Sequence, residues 1–458
     1  DFTSTSNDGS SGSITGVTGS WGDFAIDNRG DFAIDNIIFV EGTGSANGDQ
    51  YYRITGVESD DSGDSLLVVA LPGSTFQDDQ DASVSVTQML EVPAGINYAD
   101  LEIVEVMLGN GNDTFTVGST AVGAITVIHG GGNSWVDEAK TIMGGDTINV
   151  TDDAGGADAP LIIYGDTSQD GYRYDSVSGV ATGRAISFDY AGNDIIDASA
   201  STAGVTIFGG AGNDKIYGSQ GDDHLAGGSG NDEIHGDDNP LDSIDGTLAT
   251  GLDHIYGDGG INADLSQRLD LASQIITMIT VAAPGSADNL TPGADELHGD
   301  GGNDIIFGDH GLITQTPGTK RLLTTGEVQR IETTEAATGE IDTIQGGEGN
   351  DQILGGHKND TINGNEGDNI ILGDHGYIDY VILDGDLSDI DLIASTSTTA
   401  NGGNDEIDSG SGDDILIGGR FGDTIDSLGG NNLVIGDSGS ITAANEDAPN
   451  FSDQPITI

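Results

Sequence analysis

A repeat of nine residues is the feature that most restricts what this chain can fold into. Consecutive copies occupy residues 209–235, 346–372 and 409–435, and the first block reads GGAGNDKIY, GSQGDDHLA, GGSGNDEIH. The sixth place of each copy is Asp or Asn, an apolar residue follows two places later, and Gly usually comes two places earlier. A short fixed period of this kind is typical of a solenoid, in which each copy is one unit stacked on the next.

Each column of the repeat predicts a local structure. The Gly-rich first four places indicate a tight turn with positive φ, and the last three places indicate a very short strand with one inward aliphatic side chain. Two copies then complete one coil, and coils stack about 4.8 Å apart as a parallel ladder. The sequence therefore predicts an all-β fold, a parallel β-roll or β-helix solenoid built on GGxGxDxUx repeats with inserts and preceded by a small β domain.

Stacking places the sixth-position carboxylates above one another. Two carboxylates about 5 Å apart repel by roughly 3 kcal/mol at an effective dielectric of 20, so a cation must lie between the turns. Carboxylate and turn carbonyl oxygens favour Ca²⁺ over Zn²⁺ or Cu²⁺. The predicted ligands in this position are Asp113, Asp194, Asp214, Asp223, Asp232, Asp253, Asp295, Asp304, Asp342, Asp351, Asp360, Asp405, Asp414 and Asp423.

The repeats resemble the repeats-in-toxin (RTX), or haemolysin-type, calcium-binding β-roll over roughly residues 192–439, with an outlying copy at 108–117. The resemblance implies that the sixth-position Asp side chains bind Ca²⁺ together with carbonyls of neighbouring turns. Asn369 and Asn432 lack the charge, so we expect weaker or missing sites there. Lys358 and Phe421 replace a turn glycine, so the geometry of those turns is open. The resemblance also implies export of an unfolded chain through a type I secretion channel.

Two further residue types have alternative interpretations. Gly-Asp pairs end several repeat blocks and add carboxylates as candidate ligands, although Gly-Asp is also a common turn dipeptide. The eight His residues include no H-x-x-x-H pair, which favours a structural role over a transition-metal site. The Gly-Asp candidates are Asp237, Asp258, Asp300, Asp309, Asp374 and Asp437.

The charge balance narrows the choice of partners. The chain has 12 Lys and Arg residues against 78 Asp and Glu residues, a formal net charge of −66. Nucleic acids and anionic membrane surfaces require basic patches, so we predict neither as a partner. No apolar run approaches 18 residues, and we predict no membrane insertion. Disorder is the alternative for so acidic a chain, but the regular spacing of Ile, Leu and Val favours a folded one.

The sequence predicts the following organisation. A linker or assembly strand (1–21) precedes a small β domain (22–95) and irregular parallel β-helix rungs (96–191). Repeat blocks at 192–260, 293–311, 339–376 and 401–440 alternate with an insert at 261–292 whose apolar spacing fits a helix, a hairpin-like insert at 312–338 and an insert at 377–400. A tail (441–458) follows. The chain begins with Asp and no signal-like segment follows, so we expect a mature form or a piece of a longer polypeptide.

The search for catalytic motifs favours a protein that is not an enzyme. There is no H-E-x-x-H, no G-x-S-x-G, no P-loop and no Cys nucleophile. We predict a secreted, extracellular or cell-surface structural protein that folds on Ca²⁺ and serves in adhesion, matrix or filament building, with self-association. Two alternatives remain open: the repeat region of a secreted hydrolase or toxin whose catalytic domain lies elsewhere, and a passive Ca²⁺ buffer or spacer.

Overall fold

The chain divides into two compact units, Asp1–Ala99 and Asp100–Ile458. The computed structural model describes the backbone of the strands in the first unit. From residue 96 onward it describes residues 96, 98, 101, 103–132, 145–151, 154–166, 192–237, 251–259, 291–315, 323–383, 385–397 and 401–443.

The first unit contains one antiparallel sheet of six strands. Its longest pair is a hairpin with a register shift between Ile54 and Gly56. From one edge to the other the strands are Phe2–Thr3, Ser11–Thr15, Gly63–Ala70, Gln50–Asp60, Ile37–Glu41 and Ser85–Gln88.

The second unit contains two parallel sheets whose strands alternate along the chain. Sheet I has ten strands, namely Thr114–Val117, Thr147–Val150, Ile195–Asp197, Lys215–Tyr217, Glu233–His235, Glu296–His298, Thr343–Glu348, Thr361–Glu366, Glu406–Asp408 and Thr424–Asp426. Sheet II has eleven strands, namely Ile103–Asn110, Ile125–Gly132, Leu161–Tyr164, Thr206–Ala211, His224–Ser229, His254–Tyr256, Ile305–Phe307, Gln352–Gly356, Ile370–Asp374, Ile415–Ile417 and Leu433–Ile435.

The inner core consists of the middle residue of each short strand. Ile216 of sheet I pairs in register with Ile234, and Leu225 of sheet II pairs with Ile255. All four side chains are fully buried in one continuous apolar cluster. Successive side chains of a strand point to opposite faces, so a strand of three residues supplies one inward side chain and two outward ones. The predicted parallel β-roll is confirmed.

The inserts at 312–338 and 377–400, together with the segment that follows the last repeat block, form a third sheet of five antiparallel strands that covers the outer face of sheet II. Ile313, Ile331 and Ile378 of this sheet belong to the same apolar cluster as Phe307 and Leu372 of sheet II. The inserts thus bury an apolar face of the solenoid rather than its edge. The strands are Gly311–Gln315, Val328–Thr333, Gly376–Asp379, Leu392–Ser395 and Ser440–Thr442.

Helical structure is nearly absent from the described part of the chain, where one 3-10 turn spans Leu323–Thr325. The predicted helix at 262–283 lies outside the described residues. Among the residues that are described, no helix has the length and apolarity needed to span a membrane. The predicted segment boundaries within the second unit stay predictions.

Candidate metal centres

The sixth-position side chains form two rows, one beside each parallel sheet. In both rows the backbone N–H of one residue donates to Oδ1 of the residue one coil further on, at 2.6–3.0 Å. Row A is Asp113, Asp146, Asp194, Asp214, Asp232, Asp295, Asp342, Asp360, Asp405 and Asp423. Row B is Asp223, Asp253, Asp304, Asp351, Asn369, Asp414 and Asn432.

The second carboxylate oxygen of most row members is buried and has no hydrogen-bond partner. A buried carboxylate oxygen without a donor costs several kcal/mol, so a structure with many of them implies a ligand that meets them. The orphaned Oδ2 atoms in the rows belong to Asp194, Asp214, Asp253, Asp295, Asp304, Asp342, Asp351, Asp360, Asp405, Asp414 and Asp423.

Glycine keeps a space open beside ten of these eleven orphaned oxygens, the exception being that of Asp414, whose copy begins with Ser409. A Cβ added to Gly209 would lie 2.5 Å from Oδ2 of Asp214 and 2.5 Å from the carbonyl oxygen of Gly227. The same arrangement recurs at the end of row A, where a Cβ on Gly418 would lie 2.5 Å from Oδ2 of Asp423. Each such turn therefore provides a small cradle in which a carboxylate oxygen and a carbonyl oxygen of the next coil meet.

Several Gly-Asp residues add a second carboxylate to the rows. The carboxylates of Asp237, Asp258, Asp309 and Asp374 are buried and accept hydrogen bonds from backbone N–H groups of neighbouring turns. Oδ2 of Asp258 has no hydrogen-bond partner. These four residues therefore lie where a row ligand is expected.

Asp300 and Asp437 differ from the other Gly-Asp candidates. Oδ2 of Asp300 lies 3.5 Å from Nδ1 of His235. Asp437 is exposed near the C-terminal end of the roll. The structure thus places Asp300 and Asp437 less favourably for Ca²⁺ binding in a row than the other four Gly-Asp residues.

The electrostatic environment opposes ionisation of many of the row carboxylates. Burial, followed by repulsion from Asp194, Asp232 and Asp166, raises the pKa of Asp214 well above its usual value. Burial likewise raises the pKa of Asp351 to about 7 and that of Asp405 to about 8. Without a cation, Asp214, Asp351 and Asp405 would therefore be partly or largely protonated near neutral pH.

Three basic residues in the described part of the chain form ion pairs that lie outside the rows. The ion pairs of Lys215, Arg330 and Lys358 with described carboxylates involve Glu233, Glu332, Asp379 and Glu340, none of which belongs to a row. The negative charge of the row carboxylates must then be neutralised by cations from solution. Carboxylate and carbonyl oxygens without nitrogen or sulfur donors fit Ca²⁺, whose coordination shell consists of oxygens.

Two row positions show a changed donor. Asn369 accepts from the backbone N–H of Asp351 at 2.8 Å, as an Asp would, but its buried Nδ2 has no partner. Nδ2 of Asn432 instead donates to the carbonyl of Gly429 at 2.6 Å. An amide nitrogen does not bind a cation, which supports the expectation of weaker sites here.

The two turns that lack their glycine keep the turn conformation. Lys358 has φ +78° and Phe421 has φ +82°, both in the left-handed region. An L-residue with a Cβ pays roughly 1–2 kcal/mol for this conformation. The sequence left the geometry of these two turns open. In the structure both residues have a left-handed backbone, and the missing glycine therefore results in backbone strain.

Two row-related carboxylates escaped the sequence analysis. Asp146 joins row A and its pKa is raised to about 6 by burial, but its segment GGDTINV lacks the third glycine of the repeat. Asp166 accepts from the N–H of Ala211 at 2.8 Å. It follows Tyr164-Gly165, and this Gly-Asp pair was the signal that could have revealed it.

The fold and the rows together define a calcium-binding parallel β-roll. The family described as RTX calcium-binding nonapeptide repeat (4 copies) matches residues 206–238, 291–311, 337–371, 399–425 and 408–440. These segments are thus RTX-type nonapeptide repeats, and such repeats bind Ca²⁺ in multiple copies. Comparison with curated proteins and with solved structures gave no match. Ligation by each individual carboxylate stays a prediction.

Proposed function

We propose that this chain is a structural part of a secreted protein, which folds when it meets extracellular Ca²⁺ and then serves in adhesion, matrix or filament building. The observation that carries the proposal is the continuity of the two rows. Row A runs through all ten strands of sheet I, about 45 Å at the spacing of a parallel sheet. Ion binding is thereby coupled to the stability of the whole roll.

The energetics support folding that depends on Ca²⁺. With about 1 mM Ca²⁺ and a dissociation constant of about 0.1 mM, each site contributes about 1.4 kcal/mol. A dozen such sites would contribute roughly 17 kcal/mol, more than the total stability of a typical domain. At submicromolar Ca²⁺ this contribution is close to zero, while the burial and repulsion of the carboxylates remain.

The same dependence of folding on the Ca²⁺ concentration supports secretion. RTX repeat proteins are typically secreted by bacteria. A chain that stays unfolded at cytosolic Ca²⁺ suits a type I secretion channel, and the rise in Ca²⁺ outside the cell would trigger folding. We propose an extracellular or cell-surface location on this basis, and a structural role rather than a catalytic one for the repeats.

Self-association is the part of the proposal that concerns assembly. The six-stranded sheet ends in the strands Phe2–Thr3 and Ser85–Gln88, each paired along one side. Open strand edges are sites at which another chain can add a strand. We propose that copies associate through such edges once the roll has folded.

One experiment tests both Ca²⁺-dependent folding and self-association. Far-UV circular dichroism of the full chain is recorded in millimolar Ca²⁺ and in excess EGTA, and the same samples are imaged by electron microscopy. We expect strong β signal and assemblies in Ca²⁺, and loss of both in EGTA. Identical spectra would overturn Ca²⁺-dependent folding. Folded but strictly monomeric particles would overturn the assembly role and leave the folding role standing.

A further inference from the structure

The outer face of sheet I carries two histidines side by side. Strand Glu233–His235 pairs in parallel with strand Glu296–His298, and His235 lies opposite His298. Their rings are stacked, with centroids 4.2 Å apart and planes 5° from parallel. The side chains of His235 and His298 are 7% and 16% exposed, so the first is buried and the second is partly buried.

An aspartate completes a group of three donors. Asp300 follows His298 by two residues and has a left-handed backbone, with φ +63°. Its Oδ2 lies 3.5 Å from Nδ1 of His235 and accepts no hydrogen bond. One donor atom from each of His235, His298 and Asp300 lies within 4.8 Å of the other two. Among the described residues this is the one such group of three that contains histidine.

The opposite nitrogen of each imidazole faces a glutamate. Nε2 of His298 lies 3.5 Å from Oε1 of Glu296, and Nε2 of His235 lies 3.9 Å from Oε1 of Glu233. Histidines that bind a metal commonly donate their other N–H to a carboxylate, which fixes the tautomer and orients the ring. A tautomer that carries its proton on Nε2, the nitrogen nearer the glutamate, would leave Nδ1 of each ring able to bind a metal.

We propose that His235, His298 and Asp300 form a site for a divalent transition metal of the Zn²⁺ type, separate from the Ca²⁺ rows. Two imidazole nitrogens and one carboxylate oxygen suit Zn²⁺, with water in the fourth position, whereas Ca²⁺ takes oxygen ligands. Bonds of about 2.0–2.1 Å would draw the donors to roughly 3.4 Å from one another, which requires the stacked rings to tilt.

The position of the site gives it a structural consequence. The chain leaves sheet I after His235 and returns to it at Glu296, so the two histidines lie at the start and the end of a long excursion. A metal bound between them joins adjacent strands of the sheet and closes that loop. We therefore expect the metal to stabilise the middle of the roll in addition to the Ca²⁺ rows.

The alternative is that the histidines only stack. Tyr217 precedes them in the same outward column, and its ring lies 5.3 Å from that of His235. Titration of the full chain with Zn²⁺ distinguishes a metal site from simple ring stacking. Excess Ca²⁺ is present throughout so that the rows are filled. We expect one Zn²⁺ per chain, and His298→Gln should weaken binding by more than the roughly 10–100-fold that loss of a second-shell partner costs.

The control is His357→Gln, a partly buried histidine outside this group, which should bind Zn²⁺ as the unaltered chain does. Absence of Zn²⁺ binding by the unaltered chain, or an unchanged affinity in folded His298→Gln, would overturn the proposal. If His298→Gln does not give the β spectrum of the Ca²⁺ form, Asp300→Asn decides instead. This variant keeps the side-chain shape and should weaken Zn²⁺ binding to a similar extent.

Discussion

The backbone N–H of Asp194 donates to Oδ1 of Asp214 at 2.7 Å, while Oδ2 of Asp214 is buried without a hydrogen-bond partner. One carboxylate thus has two separate roles. Its first oxygen sets the register between coils, and its second oxygen lies in the glycine cradle where a cation fits. Because the two roles belong to different atoms, substitutions that keep one and remove the other can separate them.

The first prediction concerns Asp351→Asn. The amide keeps Oδ1, which accepts from the N–H of Asp304 at 3.0 Å, but loses the oxygen donor and the charge at Oδ2. In tenfold excess of Ca²⁺ over the dissociation constant, we expect a loss of about 1.4 kcal/mol, the contribution of one site. In EGTA we expect the opposite sign, because a buried charge has been removed. Chemical unfolding in Ca²⁺ measures the first effect, and the pH at which β structure returns in EGTA measures the second.

Asp368→Asn is the matched control for this variant. Asp368 is exposed, and its Oδ1 accepts from the N–H of Asp413 at 2.8 Å, a bond that the amide can keep. We expect little change in either condition. Equal losses in Ca²⁺ for the two variants would show that net charge, rather than position in the row, governs stability.

The repeat predicts pairs of residues that are distant in sequence. Asp232 and Asp295 are 63 residues apart, yet both hold the sixth place of a copy. In the structure the backbone N–H of Asp232 donates to Oδ1 of Asp295 at 2.7 Å. The period carries this information because each copy must stack in register on the next. An insert between two copies changes the sequence separation but not the position within the coil.

Features outside the period could not be predicted in this way. Val328–Thr333 pairs with Gly376–Asp379 in the antiparallel sheet, and no repeat relates the two segments. The period does align His235 with His298, since they follow Asp232 and Asp295 by three residues each, but it does not predict that Asp300 lies beside them. Asp146 lies in a copy too incomplete to recognise. In each case the information lies in packing that only the folded chain brings about.

The second prediction restores a ligand through Asn369→Asp. Nδ2 of Asn369 occupies the place that a carboxylate oxygen holds in other turns, since a Cβ on Gly364 would lie 2.8 Å from it and 2.6 Å from the carbonyl of Ser409. We expect one additional Ca²⁺ per chain and a higher midpoint of thermal unfolding in Ca²⁺. In EGTA the additional buried carboxylate should lower the pH at which β structure returns. A metal count and thermal melts in Ca²⁺ measure the gain, and circular dichroism in EGTA as a function of pH measures the loss.

Asn359→Asp is the control for the added charge. Asn359 is exposed, and its Oδ1 accepts from the N–H of Asn404 at 2.8 Å. This variant has the same net charge as Asn369→Asp but lies outside the cradle. A gain of Ca²⁺ in both variants would contradict the assignment of the site to Asn369.

The third prediction concerns strain at Phe421. The Phe421 side chain is 51% exposed and its backbone lies in the left-handed region. Burial of the ring therefore offsets little of the free energy that the strained backbone costs. We expect Phe421→Gly to stabilise the Ca²⁺ form by up to about 1 kcal/mol, after the entropy cost of glycine is deducted. Phe421→Leu keeps a Cβ and should give no gain. A gain of similar size for Leu would mean that the ring, rather than the backbone, is unfavourable.

The fourth prediction is that acid partly replaces Ca²⁺ in the metal-free protein. Burial raises the folded-state pKa of Asp194 and Asp351 to about 7 and that of Asp405 to about 8, against an ordinary value of 3.8. For a group whose folded pKa is raised, the stabilising contribution is fully present below the unfolded pKa. It is lost as pH rises through the folded pKa. The metal-free roll should therefore gain β structure as pH falls from about 8 towards 4.

The Ca²⁺ form should respond in the opposite direction, and the contrast gives the prediction its control. Protons compete with Ca²⁺ for the row oxygens, so the apparent affinity for Ca²⁺ should fall as pH falls over the same range. Circular dichroism in EGTA follows the first effect, and Ca²⁺ titrations at several pH values follow the second. If the spectrum in EGTA did not change between pH 8 and pH 4, the row carboxylates would not be the groups that keep the metal-free chain unfolded.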